Sequence, residues 1–250
     1  MKQLYVVNQP FTHLRRTPSE FIPLGFHDRN QESQLIYNET VRVVSKRGEW
    51  AFIDAVEQPV FLKNKWIPYQ GWVKYKHLSL MENNLENTRT VYDPQARLLN
   101  GEVIPFGSQV CSRRKISDKY FNPKSMIHIG LSCVGWPYLW GGRSSYNGRE
   151  DSGCDCSGLV DLLFRTQGIF IPRNACDQYL ASKKIPLIMV KPGDLLFLAP
   201  KTPKGKINHV MLYLGDGKAL EATEISMSIR VCSIKKRIST SEQLFCGSFL

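Results

Sequence analysis

Long apolar runs are missing from this 250-residue chain: no stretch approaches a membrane span, and the opening MKQLYVVNQPFTHLRRTPSEF lacks the apolar core of a secretory leader. With Met1 as the start, a cytoplasmic location is expected. The seven cysteines are odd in number and show no paired metal-type spacing, and Cys154 and Cys156 stand too close for an easy mutual disulfide. Reduced thiols fit the same compartment. Acidic residues are in short supply, 22 against 33 Lys and Arg, which leaves a formal charge of +11. The basic residues cluster only at Arg113-Arg114-Lys115 and Lys235-Lys236-Arg237, neither interleaved with aromatics, so nucleic-acid binding is not expected and a small acidic substrate is. There is no phosphate loop, dinucleotide fingerprint or metal constellation, and no cofactor is expected.

What is present is a foldable composition, 42% hydrophobic, in a chain long enough for two modules. Residues 1–80 read as a small all-β barrel: 40–44, a turn at Lys46-Arg47-Gly48, then 50–53 form a hairpin, and the chain resumes after an excursion at Gly71-Trp72-Val73. Trp50 and Trp72 are expected in its core. Residues 81–120 form a connector with a polar loop and a hairpin around Asn100-Gly101-Glu102. From 121 to 250 the pattern predicts helices over 125–134 and from Asp155 to Gly168, then strands over 195–198, 208–214 and 218–223. That order describes an α+β domain.

One constellation carries chemistry. A cysteine attacks as thiolate, which a helix N-terminus and a neighbouring imidazole favour. In Asp155-Cys156-Ser157-Gly158, Asp155 is placed as N-cap and Cys156 falls in the first turn, whose amides also suit an oxyanion. A lone cysteine there would otherwise read as packing. His209 opens a strand, so its direction is fixed. If Gly215-Asp216-Gly217 is a three-residue loop, Met211 pairs with Glu221 and His209 with Thr223, and Glu221 shares a face with His209. A two-residue turn at Asp216-Gly217 would flip the parity and turn Glu221 away. His128 is expected to be a surface or packing histidine, not a second base.

Tyr138-Leu139-Trp140-Gly141-Gly142, Asp155-Cys156-Ser157-Gly158-Leu159-Val160, Pro172-Arg173, Pro192-Gly193-Asp194-Leu195 and His209-Val210 through Leu214-Gly215-Asp216-Gly217 follow in order. Together they resemble the NlpC-type family of papain-like bacterial cell-wall peptidases over residues 121–250. The resemblance implies a thiol hydrolase of peptidoglycan stem peptides with Cys156 as nucleophile and His209 as base. Where the family usually has a second histidine, twelve positions after the first, this chain has Glu221, a carboxylate able to orient imidazole. The first half, with Glu32-Ser33-Gln34-Leu35 and Tyr69-Gln70-Gly71-Trp72-Val73, is similar to the bacterial SH3-like barrel of γ-D-glutamyl-L-diamino acid endopeptidases. That similarity makes Glu32 and Tyr69 candidate contacts for a free L-Ala amino group, with Asp155, Ser157 and Tyr138 nearer the cut. Arg173 is expected to tie a loop, and Cys154 and Cys176 to line the cleft. The expected activity cuts between γ-D-Glu and diaminopimelate in free peptides during wall-peptide recycling. The alternatives are a hydrolase of intact peptidoglycan and a catalytically quiet binding module.

Overall fold

The computed structural model describes residues 3–21, 28–81, 88–111 and 122–250. The basic cluster at 113–115 and residues 82–87 of the polar loop lie outside that set.

Seven strands come first: β1 (Leu4–Val7), β2 (Phe11–Arg15), β3 (Gln31–Ile36), β4 (Thr40–Arg47), β5 (Trp50–Leu62), β6 (Lys65–Lys74) and β7 (Leu78–Leu80). They form one sheet ordered β3-β2-β6-β5-β4-β1-β7, with β3 and β7 as its edges, so no closed ring is present among the described residues. Strict alternation builds its core: Val41, Ala51, Ile53, Ala55 and Val73 point inward with Val7, Leu14, Leu35 and Leu78. Trp72 has the opposite parity to Val73 and packs outside that core against Phe52. Trp50 is buried under the Lys74 ammonium, not in the cluster. The β4/β5 hairpin is longer than the sequence suggests, with Arg47 still opposite Trp50. The excursion before Gly71 is an arm of the β5/β6 hairpin that turns at Lys63-Asn64, both with positive φ. A left-handed pair without glycine gives a weak sequence signal for such a turn.

Two short strands, β8 (Thr88–Thr90) and β9 (Gln109–Cys111), form a separate ribbon, and Arg97 bridges to Val103 around Gly101.

The second half has three helices, α1 (Pro123–Ser132), α2 (Cys156–Thr166) and α3 (Ala175–Ala181), before its main strands. After β10 (Lys183–Lys184) come β11 (Leu195–Pro200), β12 (His209–Gly215), β13 (Lys218–Thr223), β14 (Ser228–Ser233), the short helix α4 (Ile234–Arg237) and β15 (Glu242–Ser248). The sheet order is β10-β15-β11-β12-β13-β14, antiparallel throughout. Leu195 and Phe197 join Val210, Leu212 and Leu220 in a core with Met126 and Ile129 of α1 and Leu159, Leu162 and Leu163 of α2. Leu196 and Leu198 point the other way into a second cluster with Met211 and Ala219. Each fully buried side chain of this size contributes about 1.5–3 kcal/mol. No helix among the described residues is long and apolar enough to cross a membrane.

The two halves are joined by arginines with essentially no exposure. Arg143 pairs with Glu39 at 2.7 Å and with Asp161, and its amide donates to Gln34 Oε1 at 2.7 Å. Arg165 donates to the Gly107 carbonyl and pairs with Glu57. Burial alone would push the Glu39 carboxyl up, but Arg143 and Arg165 hold it below its usual range. Thus α2 packs its apolar face on the sheet, while Asp161 and Arg165 face ionic partners instead of water.

Candidate active site

Local sequence rules position Cys156. Asp155 caps α2 through Oδ1, which accepts from the Gly158 amide at 2.7 Å. Gly158 is required by close approach: a Cβ there would stand 2.1 Å from the Gly142 carbonyl oxygen. The helix head is thereby held against the turn that carries Trp140-Gly141-Gly142, and Cys156 emerges half-buried in its first turn.

His209 begins β12 and Glu221 lies on β13. The hairpin between them turns on two residues, Asp216 and Gly217, both with positive φ, and Gly215 faces Lys218. Such a turn alone would flip the parity. A bulge between Tyr213 and Gly215 restores it, so Tyr213 pairs with Ala219 and Leu212 with Leu220, the register a three-residue loop would give. His209 Nε2 lies 2.7 Å from Glu221 Oε2, which leaves Nδ1 as the ring nitrogen available to a thiol. Desolvation works against the imidazolium, but the hydrogen bonds with Cys156 and Glu221 outweigh it and push His209 up to about 9. Glu221, fully buried, is brought down to about 2, because His209, Arg230 and Arg237 overcome the burial penalty.

Cys156 and His209 face a cleft of about 450 Å³, within the range of small-ligand sites. Glu32, Tyr69, Tyr138, Asp155 and Ser157 line it too, so all five candidate substrate contacts share one cavity, although two come from the first sheet. Tyr69 donates to Glu32 Oε2 at 2.6 Å, and Arg16 pairs with Glu32 Oε1 at 2.5 Å. Desolvation first, then the Glu32 charge, raises the Tyr69 phenol. Burial raises Tyr138 as well, and its hydroxyl donates to Glu224 at 3.0 Å. Asp155 accepts from Gly141, Ser157, Gly158 and both terminal nitrogens of Arg173.

Arg173 does more than tie a loop. Fully buried, it bonds Ser33 of β3 at 2.7 Å and Asp155 and Ser157 beside the thiol, linking the two halves at the cleft itself. Its partners are distant in sequence, so the local pattern shows only the loop. Cys176 lines the cleft as expected, but Cys154 does not: it is buried behind it, and desolvation raises its thiol. His128 is exposed on α1, the surface alternative of the two expected for it. Arg16 and Arg230 carry no sequence signal and Arg237 shows only as part of a basic cluster, because each acts through a partner on a separate strand.

Residues 135–246, which include Cys156, His209 and Glu221, match the NlpC/P60 family. The gamma-D-glutamyl-L-lysine dipeptidyl-peptidase of Bacillus subtilis strain 168 is 31% identical over 240 residues, covering 84% of this chain and 78% of that protein. The peptidoglycan endopeptidase RipB of Mycobacterium tuberculosis H37Rv is 40% identical over 118 residues, covering 44% of this chain and 47% of RipB. A crystal structure of an NlpC/P60 family protein from Bacillus cereus ATCC 10987 superposes over 99% of both chains, with a TM-score of 0.81 at 18% identity, a likeness of fold.

Proposed function

This chain belongs to the NlpC/P60 family, and from that premise we propose that it is a cysteine peptidase that cuts the γ-D-glutamyl to diamino acid bond of free peptidoglycan stem peptides. The observation that carries the reading is the arrangement of Cys156 at a helix head and His209 beside it, both facing one cleft, with Glu221 buried beneath the imidazole.

In this reading the Cys156 thiolate attacks the γ-carbonyl carbon and the amides at the head of α2 receive the oxyanion. His209 gives its proton to the leaving amine, then takes one from the water that hydrolyses the thioester. Glu221 keeps the imidazole oriented and stabilises its charged form. The substrate is a small acidic peptide, and no cofactor enters the reaction. Glu32 is the partner we assign to a free N-terminal ammonium, which would join Arg16 on Oε1 and Tyr69 on Oε2. We assign the first 80 residues to an SH3-like module, residues 81–120 to a connector and 121–250 to the peptidase domain. Recycling of trimmed peptides in the cytoplasm is the setting that a free-amine requirement supports, since stems still attached to glycan lack that amine.

The test is incubation with L-Ala-γ-D-Glu-diaminopimelate, its lysine counterpart and the N-acetylated form of each, with products read by mass spectrometry. Cleavage of free peptides alone supports the proposal, and the faster of the two names the diamino acid. Equal cleavage of acetylated peptides points to hydrolysis of intact wall, and cleavage of none removes the peptidase reading.

A further inference from the structure

Glu221 holds more partners than a residue that only orients imidazole needs. Oε2 takes His209 Nε2 at 2.7 Å and Arg237 Nε at 2.9 Å. Oε1 accepts from Arg230 Nε at 3.0 Å, Arg230 Nη2 at 2.8 Å and Arg237 Nε at 3.2 Å. Arg230 sits directly opposite Glu221 on β14, and Arg237 closes α4, with a second carboxylate, Glu242 of β15, 3.5 Å away. The groups facing the imidazole and its carboxylate are therefore Cys156 from α2, Arg230 and Cys232 from β14, Arg237 from α4 and Glu242 from β15.

Two guanidiniums on one buried carboxylate change what it does to the ring. An unaccompanied carboxylate would place its whole charge against His209 and hold the ring proton so tightly that its release as a general acid would be slowed. With Arg230 and Arg237 present, part of that charge is already answered, and the orienting hydrogen bond remains. We propose that Arg230 and Arg237 are positioning residues that hold Glu221 in register and offset its charge, setting how readily the His209 proton is given up. The inference rests on the peptidase reading above.

The pH profile of Cys156 alkylation tests it without a substrate. Iodoacetamide labelling, read by peptide mass spectrometry at Cys156, should be selective in the native protein and show an alkaline limb where His209 loses its proton. Arg230→Gln and Arg237→Gln keep a hydrogen-bond donor and remove a positive charge, so each should move that limb up by about one pH unit. Arg230→Lys should return it towards the native position. Limbs unmoved in both Gln variants, whatever the change in amplitude, would overturn this inference while leaving the peptidase reading intact. Absence of selective labelling in the native protein would overturn both.

Discussion

In the proposed mechanism the chemistry turns on Glu221, whose charge and hydrogen bond act on the same imidazole. Glu221→Gln keeps a bonding partner for Nε2 but removes the anion. We expect kcat/KM to fall about 10²-fold and the alkaline limb to move to lower pH, read from a pH series on the tripeptide. Titration also reaches stability. His209 holds its proton up to about 9 in the fold, above an ordinary value near 6.5, so its contribution is complete below about 6.5 and lost as pH rises through about 9. Glu221, brought down to about 2, contributes above its ordinary range near 4.5 and loses that only towards pH 2. The melting temperature should therefore decline between pH 7 and 9.5, and His209→Ala should flatten that decline. An unchanged alkaline slope in His209→Ala would show that the ring is not the group responsible.

Among the elements, α2 was the most legible in the sequence. Its cap, its apolar run and its stop at Gly168 all read from the chain, because a helix is closed by neighbours three or four positions away. The β12/β13 hairpin was legible in outcome and not in detail. Its two-residue turn and its compensating bulge at Leu214 restore a parity that counting along the chain assigned to a three-residue loop. Trp72 shows the same limit: an aromatic in a strand has two faces available, and only pairing with Phe52 decides which. Asp155 ties the helix to its surroundings. Asp155→Ala removes the cap, at about 0.5–2 kcal/mol, and also leaves Arg173 buried without its carboxylate. A denaturant midpoint should therefore fall by more than the cap alone explains, and a change within 0.5 kcal/mol would contradict the role given to Arg173.

Across the whole molecule, the cleft exists because the first sheet and the second half of the chain are held together by buried arginines. Arg143 with Glu39 and Asp161, Arg165 with Glu57 and Arg173 with Ser33 all cross from one half to the other or brace a residue that does. None of these pairs had a local pattern, since their members lie far apart in sequence, and this is the part of the structure that reading the chain did not supply. Removing one member of a buried pair costs about 3–5 kcal/mol, because the other charge is left unanswered. Arg143→Ala should lower stability by that order, and Glu39→Gln combined with it should cost less than the sum of the two single changes. Strict additivity in that cycle would contradict direct coupling.

A thiol peptidase built on Cys156 is tested by comparing native protein with Cys156→Ala on L-Ala-γ-D-Glu-diaminopimelate, with released diaminopimelate measured by mass spectrometry. The expected result is release by the native protein and none above background by the variant, with both equally folded. Full hydrolysis by Cys156→Ala would contradict it.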